Sequence, residues 1–404
     1  MVATATQLHQ RLVDQLGANG LLDNPHLRAA FQAVPREHFL PGVAVERVYQ
    51  DDAVTCHSGP DGTPLSSSSQ PTIMATMLGQ LGPQPGDHVL EIGAGSGYNA
   101  ALLAQLVAPG GQVTSIELDP EVAAAARANL ARAGVDGVTV RNRDGWLGAP
   151  EQAPFDRIEA TVGVRDLAPA WTQQLTPAGV LVAPLALHAG VHVSVGFARY
   201  GRHLRSRSVE GCGFLPLRGS HASADTFARV QPGLWASLED ATDAALTLLG
   251  ELLATTPTRE PVPGLPEGWF ARLALAAPGG AVQLLPAEGE RWELEEVSGG
   301  LLDPATGGLA LVLEQARQLI GFGDPAPLAA LRRHLVTSRP LDLRSLQMQA
   351  VPAELPDEAP PEVDWVIARQ AHRFWVREPQ ARDTRRAQQL SGTPDAQEAR
   401  SEQA

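Results

Sequence analysis

VLEIGAGSG, residues 89–97, is the stretch whose reading decides the fold. Val89, Leu90 and Ile92 make a short apolar run of the kind a strand buried on both faces requires. The run passes directly into glycines at 93, 95 and 97, and Tyr98 to Val107 then reads as a helix. Glycine has no Cβ, so the chain can turn tightly here and bring its backbone close to a ligand. Strand, glycine turn and helix in that order make a nucleotide-type cofactor loop rather than a surface turn.

The residues that follow build on the loop. Val113 to Ile116 read as a second strand ending at Glu117, about 24 residues past Gly93. That is close to the roughly 20-residue offset at which a carboxylate accepts ribose hydroxyls. Asp119 and Pro120 open a helix as N-cap and first-turn residue, and Gly134 closes it. A third strand, Val138 to Val140, leads to Asp144 and Gly145, where an acid could meet an adenine amino group. Taken singly, Glu117 and Asp144 read equally well as solvated loop acids. Three such features at the carboxyl ends of three successive strands point to one cofactor site. The G-x-G-x-G spacing is that of S-adenosylmethionine (SAM) methyltransferases, whereas dinucleotide folds more often carry G-x-G-x-x-G.

Composition bounds the partners. The chain has 404 residues, 44% hydrophobic, enough for two domains with sizeable cores. Its 31 basic and 45 acidic residues give a net charge of −14, which repels a phosphate backbone and argues against a nucleic-acid partner. Cys56 and Cys212 form no C-x-x-C and join no cluster at zinc spacing, so they read as core residues and no metal is expected. The start, MVATATQ, lacks a basic and apolar targeting pattern, and a cytoplasmic location is expected. Residues 179–198 contain no Lys, Arg, Asp or Glu and are long enough to span a bilayer. Pro184, His188, Gly190 and His192 interrupt them, and Val191, Val193 and Val195 alternate, so they read as two buried strands with a turn and not as a membrane span.

Three parts follow from the patterning. Residues 1–78 read as helical and loop-rich, with Leu8, Leu12 and Leu16 as a helical stripe and 58–71 as a loop. Residues 79–219 alternate strand and helix, a parallel sheet wrapped on both faces, ending in an antiparallel pair around Gly201 and a last strand at Phe214–Leu217. Residues 220–378 read as a smaller α+β domain. Its expected elements are a helix at Trp235–Thr255, strands at Trp269–Phe270, Val282–Leu285 and Trp292–Val297, and helices at Leu309–Ile320 and Pro325–Val336, the latter capped by Asp324. A strand is expected at 365–376, and residues 379–404 are too polar to bury a core and are expected to be disordered.

VPREHFLP (34–41), SQP (69–71), GDHVLEIGAGSGYNAALLA (86–104), DG with a later glycine (144, 145, 148), PFDRI (154–158) and GFLPLRG (213–219) occur in one order. In that order they resemble the protein-L-isoaspartate O-methyltransferases over roughly residues 1–219. The resemblance implies a SAM-binding, Rossmann-like α/β domain that methylates the free carboxylate of isoaspartyl residues in proteins or peptides. It also implies that Ser69 takes the place of the active-site serine. Gly93, Gly95, Gly97 and Glu117 take the cofactor loop and ribose positions, and Asp144 with Gly145 the adenine side.

Several residues depart from the family pattern. Ser67 and Ser68 replace its usual Thr-Ile, Glu159 stands where the fourth strand normally carries an apolar residue, and Trp171 is either core or pocket wall. Simple members end near the equivalent of residue 219, and residues 61–71 and 160–171 look like a branch with extensions. Some members of that branch tailor ribosomally made peptides. General repair and dedicated tailoring both fit; a non-catalytic SAM- or peptide-binding module and a small-molecule carboxyl methyltransferase are the competing classes. For residues 220–378, substrate selection and dimerisation are both open.

Overall fold

The structure is a computed structural model and describes residues 3–59, 64–222, 227–239, 241–286 and 298–379. It opens with helices α1 (Ala5–Ala18), α2 (Pro25–Ala33) and α3 (Val45–Val48), the hairpin β1 (Val54–Ser58) and β2 (Pro64–Ser68), and α4 (Pro71–Leu81). Alternating elements follow: β3 (His88–Ile92), α5 (Tyr98–Val107), β4 (Gln112–Glu117), α6 (Pro120–Arg132), β5 (Val138–Asn142), β6 (Phe155–Ala160), α7 (Pro169–Gln174) and β7 (Leu175–Ala186). β8 (His192–Tyr200) and β9 (His203–Gly211) then turn back antiparallel.

A second group comprises β10 (Phe227–Gln231), β11 (Leu234–Leu238), α8 (Asp243–Leu253), β12 (Thr258–Pro261), α9 (Trp269–Ala276), β13 (Ala281–Pro286), β14 (Ser298–Asp303), β15 (Gly308–Leu313), β16 (Gln318–Gly323) and α10 (Ala326–Thr337). The chain ends its described course with β17 (Gln347–Pro352), β18 (Trp365–Ala368) and β19 (His372–Arg377).

The large sheet runs β18-β19-β17-β9-β8-β7-β6-β3-β4-β5. β7, β6, β3, β4 and β5 pair in parallel. β3 has β4 on one side and β6 on the other, so the connections diverge at its carboxyl end and open the crevice where α/β sheets bind ligands. Successive residues point to opposite faces. Val89 and Val113 therefore join the core under α1, α2, α4, α5 and α6, while Leu90, Ile92, Ile116 and Ile158 join the opposite core with Trp171.

The glycine-loop elements lie where the pattern places them. Asp119 caps α6 by accepting from the amides of Glu121 and Val122, Pro120 is in the first turn, and Gly134 follows the helix at φ +66°. Residues 179–198 are β7 and β8 joined by a turn, and among the described residues no helix is long and apolar enough to cross a membrane.

Beyond residue 200 several expectations are corrected. Leu309–Ile320 is not a helix but the hairpin β15–β16, whose two faces are both covered. Leu309, Leu311 and Ile320 pack with Leu249 and Leu252 of α8, and Ala310, Val312 and Leu319 with Leu331 and Leu335 of α10. A strand buried on both sides carries no alternation to reveal it. Trp235–Thr255 divides into β11 and α8, and Trp269–Phe270 begins α9 rather than a strand. Phe214–Leu217 is held by a single parallel bridge, Gly163 to Pro216, and the 58–71 loop contains β2. The 365–376 strand is the hairpin β18–β19. α10 lies where expected, with Asp324 Oδ1 accepting from Ala326 N at 2.8 Å. The Trp292–Val297 strand and residues 380–404 of the expected tail lie outside the described residues.

The division at 219 also changes. A second, antiparallel sheet, β10-β11-β13-β14-β15-β16-β12, does begin after it. But β17, β19 and β18 return to the large sheet through β9, and Ala271, Ala274 and Leu275 of α9 pack into its core. Residues 220–378 are therefore not one separate unit: 347–377 belong to the first sheet.

Candidate active site

A cavity of about 820 Å³ opens at the carboxyl ends of β3, β4 and β6. One wall is the glycine loop. Gly93 and Gly95 have φ of +105° and +51°, a region that disfavours side chains. A Cβ at Gly93 would stand 2.7 Å from Thr161 Oγ1, and one at Gly95 would stand 3.2 Å from Ser67 O and fill the narrow space between loop and β2. The amides of Gly93 and Ala94 donate to Ile116 O (2.8 and 3.0 Å), tying the loop to β4. Glu117, buried at the end of β4, accepts from Gly95 N (3.1 Å) and Asp119 N (3.2 Å) and lines the cavity.

Gly145 lines the same cavity, and a Cβ there would meet Ile92 Cγ2 at 2.5 Å. Its carbonyl accepts from Trp171 Nε1 at 2.8 Å, so Trp171 is a core residue that also holds this turn. Asp144 faces elsewhere. Its Oδ1 accepts from Trp146 N (2.9 Å), and its Oδ2 from Ser220 N (2.9 Å) and Ser220 Oγ (2.6 Å). Burial alone would raise its pKa, but these hydrogen bonds outweigh burial and hold the carboxyl below the usual range. The structure thus brings Gly93, Gly95, Glu117 and Gly145 to the cavity, with Asp144 adjacent and bonded to Ser220, while Gly97 faces α6, where a Cβ would stand 3.2 Å from Ala126 O.

Ser69 borders the cavity, and among the described residues its hydroxyl makes no hydrogen bond. Its backbone is held firmly. Arg36, fully buried, donates to Ser69 O (3.0 Å), Ser68 O (3.3 Å) and Ser68 Oγ (3.4 Å). The same guanidinium reaches Val48 O (2.8 Å), Gln50 O (3.2 Å) and Asp52 O (3.1 Å). Gln70 Nε2 donates to Asp51 O, and Thr72 donates through N and Oγ1 to the Asp51 carboxylate. Arg218 on the facing wall donates to Leu65 O at 3.1 Å. The sequence reading missed Arg36, whose only signal was an arginine in a segment otherwise given over to packing.

Beneath the glycine loop lies a polar chain that the sequence reading also missed, apart from Glu159. Glu91 and Glu159 face one another in the β3–β6 register. Asn99 Nδ2 donates to Glu91 Oε1 (2.9 Å) and Glu159 Oε2 (2.8 Å), and Ser115 Oγ donates to Glu91 Oε2. Burial pushes Glu91 up to about 8 and Glu159 up to about 7, because it disfavours the charged form of each carboxyl.

A family model described as protein-L-isoaspartate(D-aspartate) O-methyltransferase matches residues 6–222. The chain belongs to that family. The protein-L-isoaspartate O-methyltransferase of Methanopyrus kandleri is 37% identical over 211 residues, covering 52% of this chain and 91% of the relative. That of Methanoregula boonei is 41% identical over 213 residues, covering 52% and 93%. A solved protein-L-isoaspartate O-methyltransferase superimposes with a TM-score of 0.49 at 22% identity, covering 84% of this chain and 96% of the other. The chain is an enzyme of the protein-L-isoaspartate O-methyltransferase type, with SAM as cofactor. The family match spans every site residue and stops just before the second sheet begins.

The cavity suits that cofactor. A nucleoside with an amino-acid tail needs backbone it can approach closely, which Gly93 and Gly95 provide, and a ribose acceptor within reach, which Glu117 provides.

Proposed function

We propose that this enzyme methylates the side-chain or main-chain carboxylate of an isoaspartyl or aspartyl residue in a protein or peptide, held by Ser69. Bound SAM supplies a methyl group activated on a sulfonium. The acceptor carboxylate, with an ordinary pKa near 4, is already ionised at neutral pH, so the protein needs no general base. Its work is alignment and exclusion of water, which can supply roughly 7–11 kcal/mol. Gly93 and Gly95 receive the cofactor's methionine and ribose portions, Gly97 lets the chain turn into α5 against α6, Glu117 accepts the ribose hydroxyls, and Gly145, with Asp144 held beside it by Ser220, borders the adenine.

The observation that carries this reading is the Ser69 hydroxyl: free of partners among the described residues, at the cavity edge, on a backbone pinned by Arg36. A hydroxyl so placed donates to the incoming carboxylate and orients it. Among the described residues no histidine bonds to it to act as a base, so its role here is to orient the carboxylate and not to attack. The methyl ester product is activated, and attack by the following backbone nitrogen expels methanol and gives a succinimide. Ser69→Ala should leave SAM affinity nearly unchanged and slow methylation roughly 10- to 150-fold, the equivalent of a charge-assisted hydrogen bond of about 1.5–3 kcal/mol. Equal rates for the two proteins would remove Ser69 from the reaction.

A second reading of the substrate has its own support. The family match ends at residue 222, yet the second sheet is fixed to the catalytic one through α9 and through Glu239, which pairs with Arg165, His188 and Arg369. That arrangement suits a dedicated peptide, presented by residues 220–346, better than indiscriminate repair. Comparing methylation of a short isoaspartyl peptide with that of a ribosomally made precursor containing an aspartate separates the two.

A further inference from the structure

Glu159 is 1% exposed on β6, yet it lines the cavity. Its partner across the register, Glu91, does not line it and has both oxygens bonded, one to Asn99 and one to Ser115. Glu159 differs in having Oε2 bonded to Asn99 and, among the described residues, no hydrogen bond at Oε1. Among the described residues no arginine or histidine is paired with either acid, and Glu117 is a further carboxylate acting on Glu91. That oxygen is not sealed in the core but open to the cavity, where a donor carried by a ligand can reach it.

The donor must come from the cavity side and should be cationic. SAM offers two cationic centres. Its sulfonium has no N–H or O–H to give, whereas the ammonium of its methionine portion has three N–H donors, so of the two only the ammonium can donate to the open acceptor. We propose that Glu159 is the binding residue for the cofactor's methionine ammonium, through Oε1, with Asn99 fixing the carboxylate from behind. The inference rests on the SAM reading of the cavity and adds a residue where the family resemblance leads one to expect an apolar side chain.

Calorimetry with three ligands tests this without turnover. S-adenosylhomocysteine has the ammonium and lacks the sulfonium; 5′-methylthioadenosine lacks the whole amino-acid end. For Glu159→Gln, affinity for S-adenosylhomocysteine and SAM should fall together by roughly 10- to 100-fold, the difference between a charge-assisted contact and a neutral one. Affinity for 5′-methylthioadenosine should stay within about twofold, which also certifies the fold of the variant. If Glu159→Gln does not fold, Glu159→Ile, a strand former at a strand position, carries the same comparison. Unchanged S-adenosylhomocysteine affinity overturns the assignment. So does a loss confined to SAM, which would put Glu159 at the sulfonium. Failure of the wild-type protein to bind any of the three would instead refute the cofactor site itself.

Discussion

Arg36→Met tests how the substrate side of the site is built. Methionine keeps most of the apolar stem and removes every donor. The carbonyls of Val48 and Ser68 are then buried without partners, at about 1–3 kcal/mol each. Those of Gln50, Asp52 and Ser69 lie nearer solvent, can take up water and lose less. Against this stands relief from burying a guanidinium, whose desolvation already lowers its pKa. The balance is a loss of about 3–5 kcal/mol, typical when one member of a buried charged network is removed. Thermal unfolding should show a melting temperature lower by roughly 5–10 °C. A purely structural role predicts nothing more. Because Arg36 also places Ser69, kcat should fall at least about tenfold while SAM affinity stays within about threefold. Arg36→Lys should recover little, since one ammonium cannot reach both the 48–52 and the 68–69 segments. A variant with wild-type kcat would refute the positioning role whatever its stability.

Other outcomes follow from the same geometry. Gly95→Val places a side chain against Ser67 O at a φ of +51°, and calorimetry should show SAM affinity reduced by at least about tenfold; wild-type affinity would remove the loop from the cofactor site. Glu91 and Glu159 have raised pKa values, so the native state holds protons that the unfolded chain has released above about pH 4.5, and stability falls as pH rises toward 8. Glu91→Gln should therefore gain stability relative to wild type between pH 6 and 9, by on the order of 2 kcal/mol in urea titrations, and a constant difference would contradict the buried pair. Glu239 behaves oppositely. Burial would raise it, but His188, Arg369 and Arg165 together hold it at about 2, so its contribution is present above about pH 4.5 and is lost as pH falls toward 2. Glu239→Gln should cost about 2–4 kcal/mol at pH 7 and less at pH 3, measured by chemical denaturation.

The local parts of this site could be read from sequence. The strand, glycines and helix of residues 89–107, the Asp119–Pro120 cap and the uncharged 179–198 pair each carry their instructions within a few neighbouring residues. What could not be read was non-local. β17 pairs with β9 through Ala350 opposite Leu204, and nothing in either segment announces the other. Leu309–Ile320 was misassigned because burial on both faces erases the period-two signal. Arg36 acts on carbonyl oxygens and one hydroxyl of segments 12 to 33 residues away, a role that residue type alone does not reveal. The return of β17–β19 also bears on experiment. Truncation after Arg218 would strip three strands from the catalytic sheet, so removing 220–346 with a linker into β17 is the cleaner test of what the second sheet does.

The most direct measurement is transfer of labelled methyl from SAM to a short peptide with a single isoaspartyl residue, beside the same peptide with ordinary aspartate. Carboxyl methylation predicts label on at least one peptide, reduced both with Gly95→Val and with Ser69→Ala. Mild alkali should release that label as methanol while the peptide closes to succinimide. No label on either peptide, from protein that binds SAM by calorimetry, would contradict carboxyl methylation of such residues, and label stable to alkali would show that the acceptor is not a carboxylate.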